Sequence, residues 1–310
     1  MTAPTVTLKG VSKHYGALTA VADVDLTLRA GERIALVGHN GAGKSTLIKL
    51  MLGLVRPAAG RIEILGEDPA RGAARAKADI GYLPENLVLP PAMTGAEIMN
   101  FYARLKRQPV AANAAILERV GIAEAAARRI YTYSKGMRQR IGLAQALIGH
   151  PRVLLLDEPT SGLDPALRHN FYDIMGELAR GGATVLISSH ALTELENQAD
   201  RVVVMNRGRK VADGSIAELR QLAERPVHIR VTLGENGIDI LPETLGPSVT
   251  WSRAGGRVVE IRCAGAAKVE TIRRLAASPL PIEDIEIAES TLDDIYAHFL
   301  RRDERREAAE

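Results

Sequence analysis

The chain has 310 residues, of which 46% are hydrophobic and 25% charged, so it can bury a full core and form more than one domain. A net charge of +3 shows that the chain is not a polycation, although it is compatible with attraction to anionic lipid headgroups. With only 4% aromatic residues, the chain is also not expected to stack nucleic-acid bases. The single cysteine, Cys263, excludes an intrachain disulfide and is expected to fill the core in a reducing compartment. No signal-peptide core and no run of about 20 apolar residues is present, which predicts a cytoplasmic chain.

Short apolar runs of β-type alternate with helical patterns up to about residue 220, which indicates an α/β domain. The stretch at about residues 86–150 is instead alanine-rich and helical in period, and it contains the capping-box sequence Thr94–Glu97. We interpret it as a helical insertion in an α/β core. The predicted strands are Thr5–Leu8, Val24–Leu28, Arg33–Val37, Arg61–Leu65, Ile80–Leu83, Val153–Leu156, Thr184–Ser188 and Val202–Met205.

The pattern changes after Arg225-Pro226, where strands of alternating polarity begin. We therefore predict a first domain at 1–224, a small α+β accessory domain at 225–300 and a frayed charged tail at 301–310. The last part of the accessory domain, Thr291–Leu300, has the pattern of a capped amphipathic helix. The other predicted elements are strands at Val227–Leu233, Val249–Arg253, Arg257–Cys263 and Ile282–Ala288, and a helix at Ala267–Ala277.

A glycine-rich loop follows the predicted strand Arg33–Val37 and precedes the apolar segment Leu47–Leu52, which begins a helix. This is the G-x-x-x-x-G-K-[ST] pattern, whose glycines let backbone N–H groups surround a polyphosphate at a helix N-terminus. Lys44 is expected to reach the β- and γ-phosphates, and the Ser45 hydroxyl to bind Mg²⁺. The predicted nucleoside triphosphate site consists of Gly38, His39, Asn40, Gly41, Ala42, Gly43, Lys44, Ser45 and Thr46.

Two carboxylates end the continuously apolar run Val153–Leu156. Asp157, at the end of the strand, is placed to bind Mg²⁺ from the second side. Glu158, one residue later, can polarise a water for attack on the γ-phosphate. Acidic pairs at strand ends are common, but a position downstream of a phosphate loop in an α/β pattern favours the catalytic interpretation.

Two further segments place polar groups at the ends of predicted elements. Ser161–Asp164 leads into a helix that begins at Pro165, a favourable first-turn residue. His190 follows the strand Thr184–Ser188, where it can contact the γ-phosphate and hold the water or Glu158. A lone histidine at a strand end is usually structural, and only its place in this series favours a functional role.

The order of these segments resembles the ATPase subunits of ABC transporters over residues 1 to about 220. It includes the phosphate loop, Tyr133–Met137, Asp157-Glu158, Ser161–Asp164 and His190. The resemblance implies a P-loop NTPase fold with a mixed sheet and a helical insertion. It also implies ATP hydrolysis with ATP and Mg²⁺ bound, and Lys44, Glu158 and His190 as catalytic residues.

The resemblance further implies a head-to-tail homodimer of the cassette. Ser134 and Gly136 would cap the γ-phosphate held by the opposite subunit, and Asp164 would belong to the same nucleotide-binding set. Tyr15 matches the aromatic residue that stacks on adenine. Glu85 stands where the family usually has a glutamine that faces Mg²⁺ and the transmembrane partner.

The signature segment also departs from the family pattern. The usual signature is Leu-Ser-Gly-Gly-Gln, and here Lys135 replaces a glycine and Met137 the glutamine. Because Ser134 and Gly136 are kept, we expect nucleotide binding to survive. Glu85 adds negative charge near the phosphates and Mg²⁺. The sequence therefore does not determine the turnover rate or how hydrolysis is coupled to a partner.

A single cassette without a coiled coil is typical of a subunit that serves a separate polytopic permease on the cytoplasmic face of the bacterial inner membrane. A narrower resemblance is to the NosF ATPases, whose transporter serves maturation of the copper-sulfur centre of nitrous-oxide reductase together with other maturation proteins. The chain has no copper-ligand pattern of its own. Exporters of drugs, lipids or polysaccharides share most of these features and are the alternative. The segments that carry the narrower resemblance are Gly81–Asn86, Thr132–Arg140, Gly142–Leu147, Ile282–Ile287 and Thr291–Tyr296.

Two other functions fit parts of the pattern. A soluble ATP-dependent switch on nucleic acid or ribosomes is disfavoured by the single cassette and the few aromatic residues, so no nucleic-acid partner is expected. The accessory domain is either a ligand sensor that gates the ATPase or a dimerisation scaffold, and the sequence leaves both open.

Overall fold

The computed structural model describes residues 3–71, 77–223, 225–234 and 249–308. The chain divides into two compact units, Met1–Asp213 and Gly214–Glu310. This division precedes the boundary predicted at residue 224, which itself lies outside the described residues, because the helix Ile216–Leu222 packs against the helix Leu292–Glu307. No helix in the described residues is long and apolar enough to cross a membrane.

The first unit contains a six-stranded sheet and a three-stranded antiparallel sheet. All eight predicted strands are present, with shifts at some ends. The strand Arg209–Gly214 was missed because its side chains are all partly or fully exposed and give no apolar pattern. The strands are β1 (Pro4–Tyr15), β2 (Leu18–Arg29), β3 (Arg33–Val37), β4 (Ala59–Ile64), β5 (Ile80–Leu83), β6 (Val153–Asp157), β7 (Thr184–Ser189), β8 (Arg201–Asn206) and β9 (Arg209–Gly214).

The order of the larger sheet is β5-β6-β7-β3-β8-β9. The strands β5, β6, β7, β3 and β8 pair in parallel, and every residue of β6 is buried, as expected for a strand covered on both faces. Because carboxyl ends of neighbouring parallel strands lie at one edge of a sheet, the segments after β3, β6 and β7 leave from the same edge.

Helices of the first unit lie between these strands and in the predicted insertion. No strand is described between residues 86 and 150, and the three main helices of that stretch contact one another. The capping box is confirmed, since Thr94 Oγ1 accepts from Glu97 N and Thr94 N donates to Glu97 Oε2. The helices are α1 (Lys44–Met51), α2 (Gly95–Leu105), α3 (Asn113–Arg119), α4 (Lys135–Leu147), α5 (Pro165–Arg180) and α6 (Leu192–Leu195).

In the described part of the second unit, a four-stranded antiparallel sheet is accompanied by three α-helices. Cys263 is buried in its core beside Leu275, as predicted for a core residue. Its elements are α7 (Ile216–Leu222), β10 (Val227–Leu233), β11 (Thr250–Arg253), β12 (Val258–Cys263), α8 (Lys268–Ala277), β13 (Ile282–Ala288) and α9 (Leu292–Glu307).

The C-terminal helix is longer than predicted. Helix α9 continues past Leu300 to Glu307, so these residues are not a frayed tail. Arginine and glutamate are good helix formers, and opposite charges such as Arg301 and Glu304 stand three residues apart on one helical face, which favours continuation. The last two residues of the predicted tail, 309 and 310, lie outside the described residues.

A half-buried lysine joins the helical insertion to the large sheet. Lys106, which caps the C-terminus of α2, donates from Nζ to the carbonyl of Ile80 in β5 and to the carbonyl of Ile148 after α4, both at 3.0 Å. Burial lowers the pKa of Lys106 to about 8, and the nearby Asp79 carboxylate raises it by less.

This pKa gives a stability prediction. The ordinary pKa of a lysine side chain is 10.5. Below pH 8, Lys106 is charged in both the folded and the unfolded chain, and holding this charge inside the folded chain lowers the free energy of unfolding. As the pH rises from 8 towards 10.5, Lys106 loses its proton in the folded chain and this penalty disappears. Relative to Lys106→Met, the wild-type chain should therefore gain up to about 3 kcal/mol of unfolding free energy between about pH 7 and 10. Urea unfolding at several pH values measures this, with the exposed Lys49→Met as control. Parallel pH curves for wild type and Lys106→Met would contradict it.

Candidate functional site

The phosphate loop connects β3 to α1 and leaves the start of that helix open. Gly41 and Gly43 have φ angles of +86° and +103°, which other residues rarely adopt. A side chain at Gly43 would also overlap the carbonyl of Ala20. No side chain caps the N-terminus of α1, so its first backbone N–H groups are available to an anion. The loop has the local geometry of a phosphate site.

Lys44 is buried at the first position of α1. Its Nζ donates to the carbonyl of Gly38 at 2.6 Å and lies 3.8 Å from Glu158 Oε1. The lysine therefore stands between the phosphate loop and the end of β6, where its charge can be shared between a phosphate and the Glu158 carboxylate.

Asp157 and Glu158 are fixed by a residue that the sequence analysis did not select. In the β6–β7 register, Asp157 pairs with Ser188. The buried Ser188 donates from Oγ to Asp157 Oδ1 at 2.5 Å, and Glu158 N lies 3.1 Å from both the Ser188 carbonyl and Oγ. The available signal was a hydroxyl residue at the end of the apolar run of β7. Ser188 thus sets the orientation of both acidic residues.

Glu158 contacts His190 across the same edge of the sheet. His190 Nδ1 lies 2.8 Å from Glu158 Oε2, and the histidine side chain is 62% exposed whereas the glutamate is only 9% exposed. Glu158 also has a φ of +49°, a left-handed conformation that is strained for a residue with a side chain. The structure therefore brings Lys44, Glu158 and His190 together beside the phosphate loop.

The phosphate loop has a second link to the sheet. His39 Nε2 lies 3.0 Å from Oδ1 of the buried Asn206, and its Nδ1 lies 2.7 Å from the carbonyl of Asn40. Asn206 ends β8, and the sequence analysis missed it although it is a polar residue directly after the apolar run Val202–Met205. This contact ties the exposed part of the loop to the strand beyond β3.

The oxygen groups predicted to bind Mg²⁺ suit a hard cation. Ser45 supplies a hydroxyl in the first turn of α1, and Asp157 a carboxylate at the end of β6, and both are the ligand types that Mg²⁺ prefers. Glu85 is exposed in the segment after β5. Burial first, and then the charges of the Asp157 and Glu85 carboxylates, together raise the pKa of Tyr82 to about 12, so both charges act on this side of the sheet.

The predicted signature residues form a separate group. Ser134 caps α4 by accepting from Met137 N, and Asp164 caps α5 by accepting from Leu167 N. The Lys135 side chain lies against Gly162, where a Cβ would overlap its ammonium. Among the described residues, no hydrogen bond joins Ser134, Gly136 or Asp164 to the phosphate loop. Within one chain, the structure does not bring this group to the phosphates.

Tyr15 lies at the end of β1, with its ring exposed. The Lys13 ammonium lies 5.2 Å from the ring centroid, which is within the range of a cation–π contact. The exposed ring is free of any core role and is suitable for stacking on a flat heterocycle.

Comparisons with known proteins agree with this geometry. A family model described as "ABC transporter" matches residues 21–161. The chain is 35% identical over 314 residues to the daunorubicin resistance ATP-binding protein DrrA3 of Streptomyces coeruleorubidus, covering 98% of each chain. It is 38% identical to the Nod factor export ATP-binding protein I of Rhizobium johnstonii, covering 67% of this chain and 68% of that one.

A solved structure gives the same fold. It is described as the ATP-binding subunit of an ABC transporter, and it matches with a TM-score of 0.67 and 32% identity. The match covers 70% of this chain and 92% of that one. The similarity to DrrA3 extends beyond this shared part into the second unit, since it spans nearly the whole chain.

We predict that Ser188→Ala lowers the rate of ATP hydrolysis without a matching loss of ATP affinity. The substitution frees Asp157 and Glu158 from the hydroxyl that orients them, and losses of such orienting groups cost about 10- to 100-fold in activity. The phosphate loop is untouched, so the ATP dissociation constant should change by less than about threefold. Steady-state hydrolysis and equilibrium ATP binding measure the two effects.

The matched control is Ser189→Ala, in the same strand, whose Oγ accepts from Ala191 N and touches neither carboxylate. It should keep most of the activity. Equal activity of the two variants, or a loss of affinity as large as the loss of rate in Ser188→Ala, would contradict the assigned role.

Proposed function

The chain belongs to the family of ABC transporter ATP-binding subunits, whose members are ATPases, and on that basis we propose that it hydrolyses ATP to drive export through a separate polytopic permease. The observation that carries the hydrolytic part is the contact of Glu158 with both Lys44 and His190 beside the phosphate loop. The similarity to DrrA3 over nearly the whole chain supports the export part.

In the proposed reaction, Lys44 and the N–H groups at the start of α1 bind the β- and γ-phosphates. Glu158 accepts a proton from the water that attacks the γ-phosphorus, and the bond from that phosphorus to the β–γ bridging oxygen breaks as ADP leaves. His190 holds the Glu158 carboxylate through the 2.8 Å contact. Ser45 and Asp157 would hold Mg²⁺, which supplies charge neutralisation at the phosphates.

We further propose that the cassette works as a head-to-tail homodimer. The capping residue Ser134 and the adjacent Gly136 stand at the exposed N-terminus of α4, where backbone N–H groups and the helix dipole favour an anion. Because they do not reach the phosphate loop of their own chain, their proposed ligand is the γ-phosphate bound by a second copy. Tyr15 and Asp164 keep their predicted nucleotide contacts in this arrangement.

The helical insertion offers a surface for the permease. Phe101 and Leu105, four residues apart on α2, are 54% and 68% exposed. They line a groove of about 770 Å³ together with Met93. Val88, three residues after Glu85, is also exposed, as is Tyr131. Exposed apolar side chains grouped in this way are typical of a protein contact. We propose that a cytoplasmic segment of the permease binds here, which places the ATPase at the cytoplasmic face of the inner membrane.

The cargo hypotheses differ in their support. The relatives named above are a drug-resistance protein and a Nod factor exporter, which favours export of an organic cargo. The hypothesis of nitrous-oxide reductase maturation has only the resemblance of segments such as Gly81–Asn86 and Thr132–Arg140 in its favour. A soluble switch on nucleic acid predicts stimulation by RNA instead of by membranes.

We predict that the double variant Phe101→Asp, Leu105→Asp loses membrane attachment and keeps basal ATP hydrolysis. Charges in the groove oppose an apolar contact, so co-sedimentation with membranes of the source cells should fall about tenfold or more. The control is Val269→Asp, which places a charge on an exposed apolar position of α8 in the other unit. Equal sedimentation of both variants, or stimulation of hydrolysis by RNA and not by membranes, would contradict the proposal.

The same variants separate the cargo hypotheses when they replace the native residues in the source cells. Under the export proposal, nitrous-oxide reductase keeps its copper-sulfur centre and activity in the double variant. A reductase that lacks this centre at unchanged protein level would overturn export and support the maturation hypothesis.

A further inference from the structure

The second unit contains a cavity that the proposed function does not use. Its volume is about 670 Å³, within the range of about 300–1,000 Å³ that is usual for small-molecule sites. All of its lining residues lie in the second unit, on α7, at the start of β10, in the loop before α8, and in the segment between β13 and α9.

The charged groups of the cavity are mostly basic. Among the described residues of the lining, Arg220, Arg225 and Lys268 are basic and Glu289 is acidic. Glu289 accepts from Arg220 Nη1 at 2.8 Å and also from Lys268 Nζ. Arg225 Nη1 lies 3.5 Å from an oxygen of Asp294, outside the lining, which is longer than a good hydrogen bond. The lining therefore carries more positive than negative charge.

The backbone at the cavity, like its basic side chains, favours a negatively charged ligand. Helix α8 begins at Lys268, and no side chain caps its N-terminus. The loop before it includes Gly265, beside which there is open space, so that a ligand can approach the main chain. A 3₁₀ turn at Gly265–Ala267 leads into α8, and the N–H groups of Ala267 and Lys268 donate to the carbonyls of Ala264 and Gly265. The start of this turn, which no side chain caps, and the positive end of the helix dipole favour an anion at the same place as the basic side chains.

The remaining walls are apolar and small. Ala217, Ala264, Ala266 and the buried Val227 line the cavity and carry no hydrogen-bonding side chain. Such walls suit an apolar body attached to the anionic group, and a small inorganic ion would leave them in contact with water.

We propose that the accessory unit binds an organic anion, a molecule with a carboxylate, sulfonate or phosphate group and an apolar body, in this cavity. Arg225, Lys268 and the start of the turn before α8 bind the anionic group, while the alanines and Val227 contact the apolar body. Glu289 competes with the ligand for Lys268 and Arg220. The proposal rests on the second unit alone and does not depend on the proposed export function.

The test uses the full chain without nucleotide, because ADP is itself an organic phosphate and would compete for the cavity. Any probe bound at the nucleotide site of the first unit contributes equally in every variant and cancels in the comparison. The probe is the fluorescent organic anion 8-anilinonaphthalene-1-sulfonate, and inorganic phosphate serves as the competitor. The test variant is Arg225→Gln with Lys268→Gln. The matched control is Arg273→Gln with Arg274→Gln, which removes the same number of charges from exposed positions that pair with Glu270.

Loss of the two cavity cations should weaken probe binding about tenfold or more, and the control should stay within about twofold of wild type. Glu289→Gln should bind the probe about threefold more tightly, because the competing carboxylate is gone. A variant that merely damages the fold would weaken binding, so this change in the opposite direction separates the two explanations.

Phosphate should displace the probe, since it uses the same cations, but with an affinity about tenfold lower or worse because it lacks an apolar body. Phosphate that binds as tightly as the probe would overturn the organic part of the proposal, and failure of phosphate to displace the probe would overturn the anionic part. Wild-type binding by the Arg225, Lys268 variant, or no gain in Glu289→Gln, would overturn the site itself.

Discussion

The parallel pairing of β6, β7 and β3 is the constraint on which the site depends. It brings the ends of three strands to one edge, so that the phosphate loop, the Asp157-Glu158 pair and His190 meet although they are far apart in sequence. Side chains then refine this arrangement. Ser188 fixes the two carboxylates, and Asn206 fixes the loop through His39.

The residues that would bind phosphate and the residue that would drive hydrolysis are positioned by different features of the fold. Binding depends on backbone N–H groups at the start of α1 and on the glycine conformations of the loop, which the β3–α1 connection creates locally. In the proposed mechanism hydrolysis depends on Glu158, whose position requires the register between two strands and a left-handed backbone. Changes near β7 are therefore expected to affect turnover more than affinity.

The core strands could be predicted from the sequence because they leave local patterns, and the candidate site residues were chosen from motifs at the ends of these strands. β3, β5, β10 and β13 were predicted with the bounds that the structure has. β3 and β5 are continuous apolar runs and β10 alternates, whereas β13 keeps only its isoleucines as an apolar signal. β9 has no such run, so it was not predicted. The end of α9 was predicted wrongly because a run of charged residues is compatible with both a solvated tail and an exposed helix. Ser188 and Asn206 were missed because their roles come from contacts across strands.

The central claim is that Glu158 is the base that activates water at a bound ATP. Single-turnover hydrolysis by Glu158→Gln, with ATP affinity measured on the same sample, tests it most directly. If Glu158 is this base, hydrolysis falls about 100-fold or more while ATP binds as tightly as in wild type or more tightly, since a negative charge near the γ-phosphate is removed. Hydrolysis at the wild-type rate would show that another group activates the water.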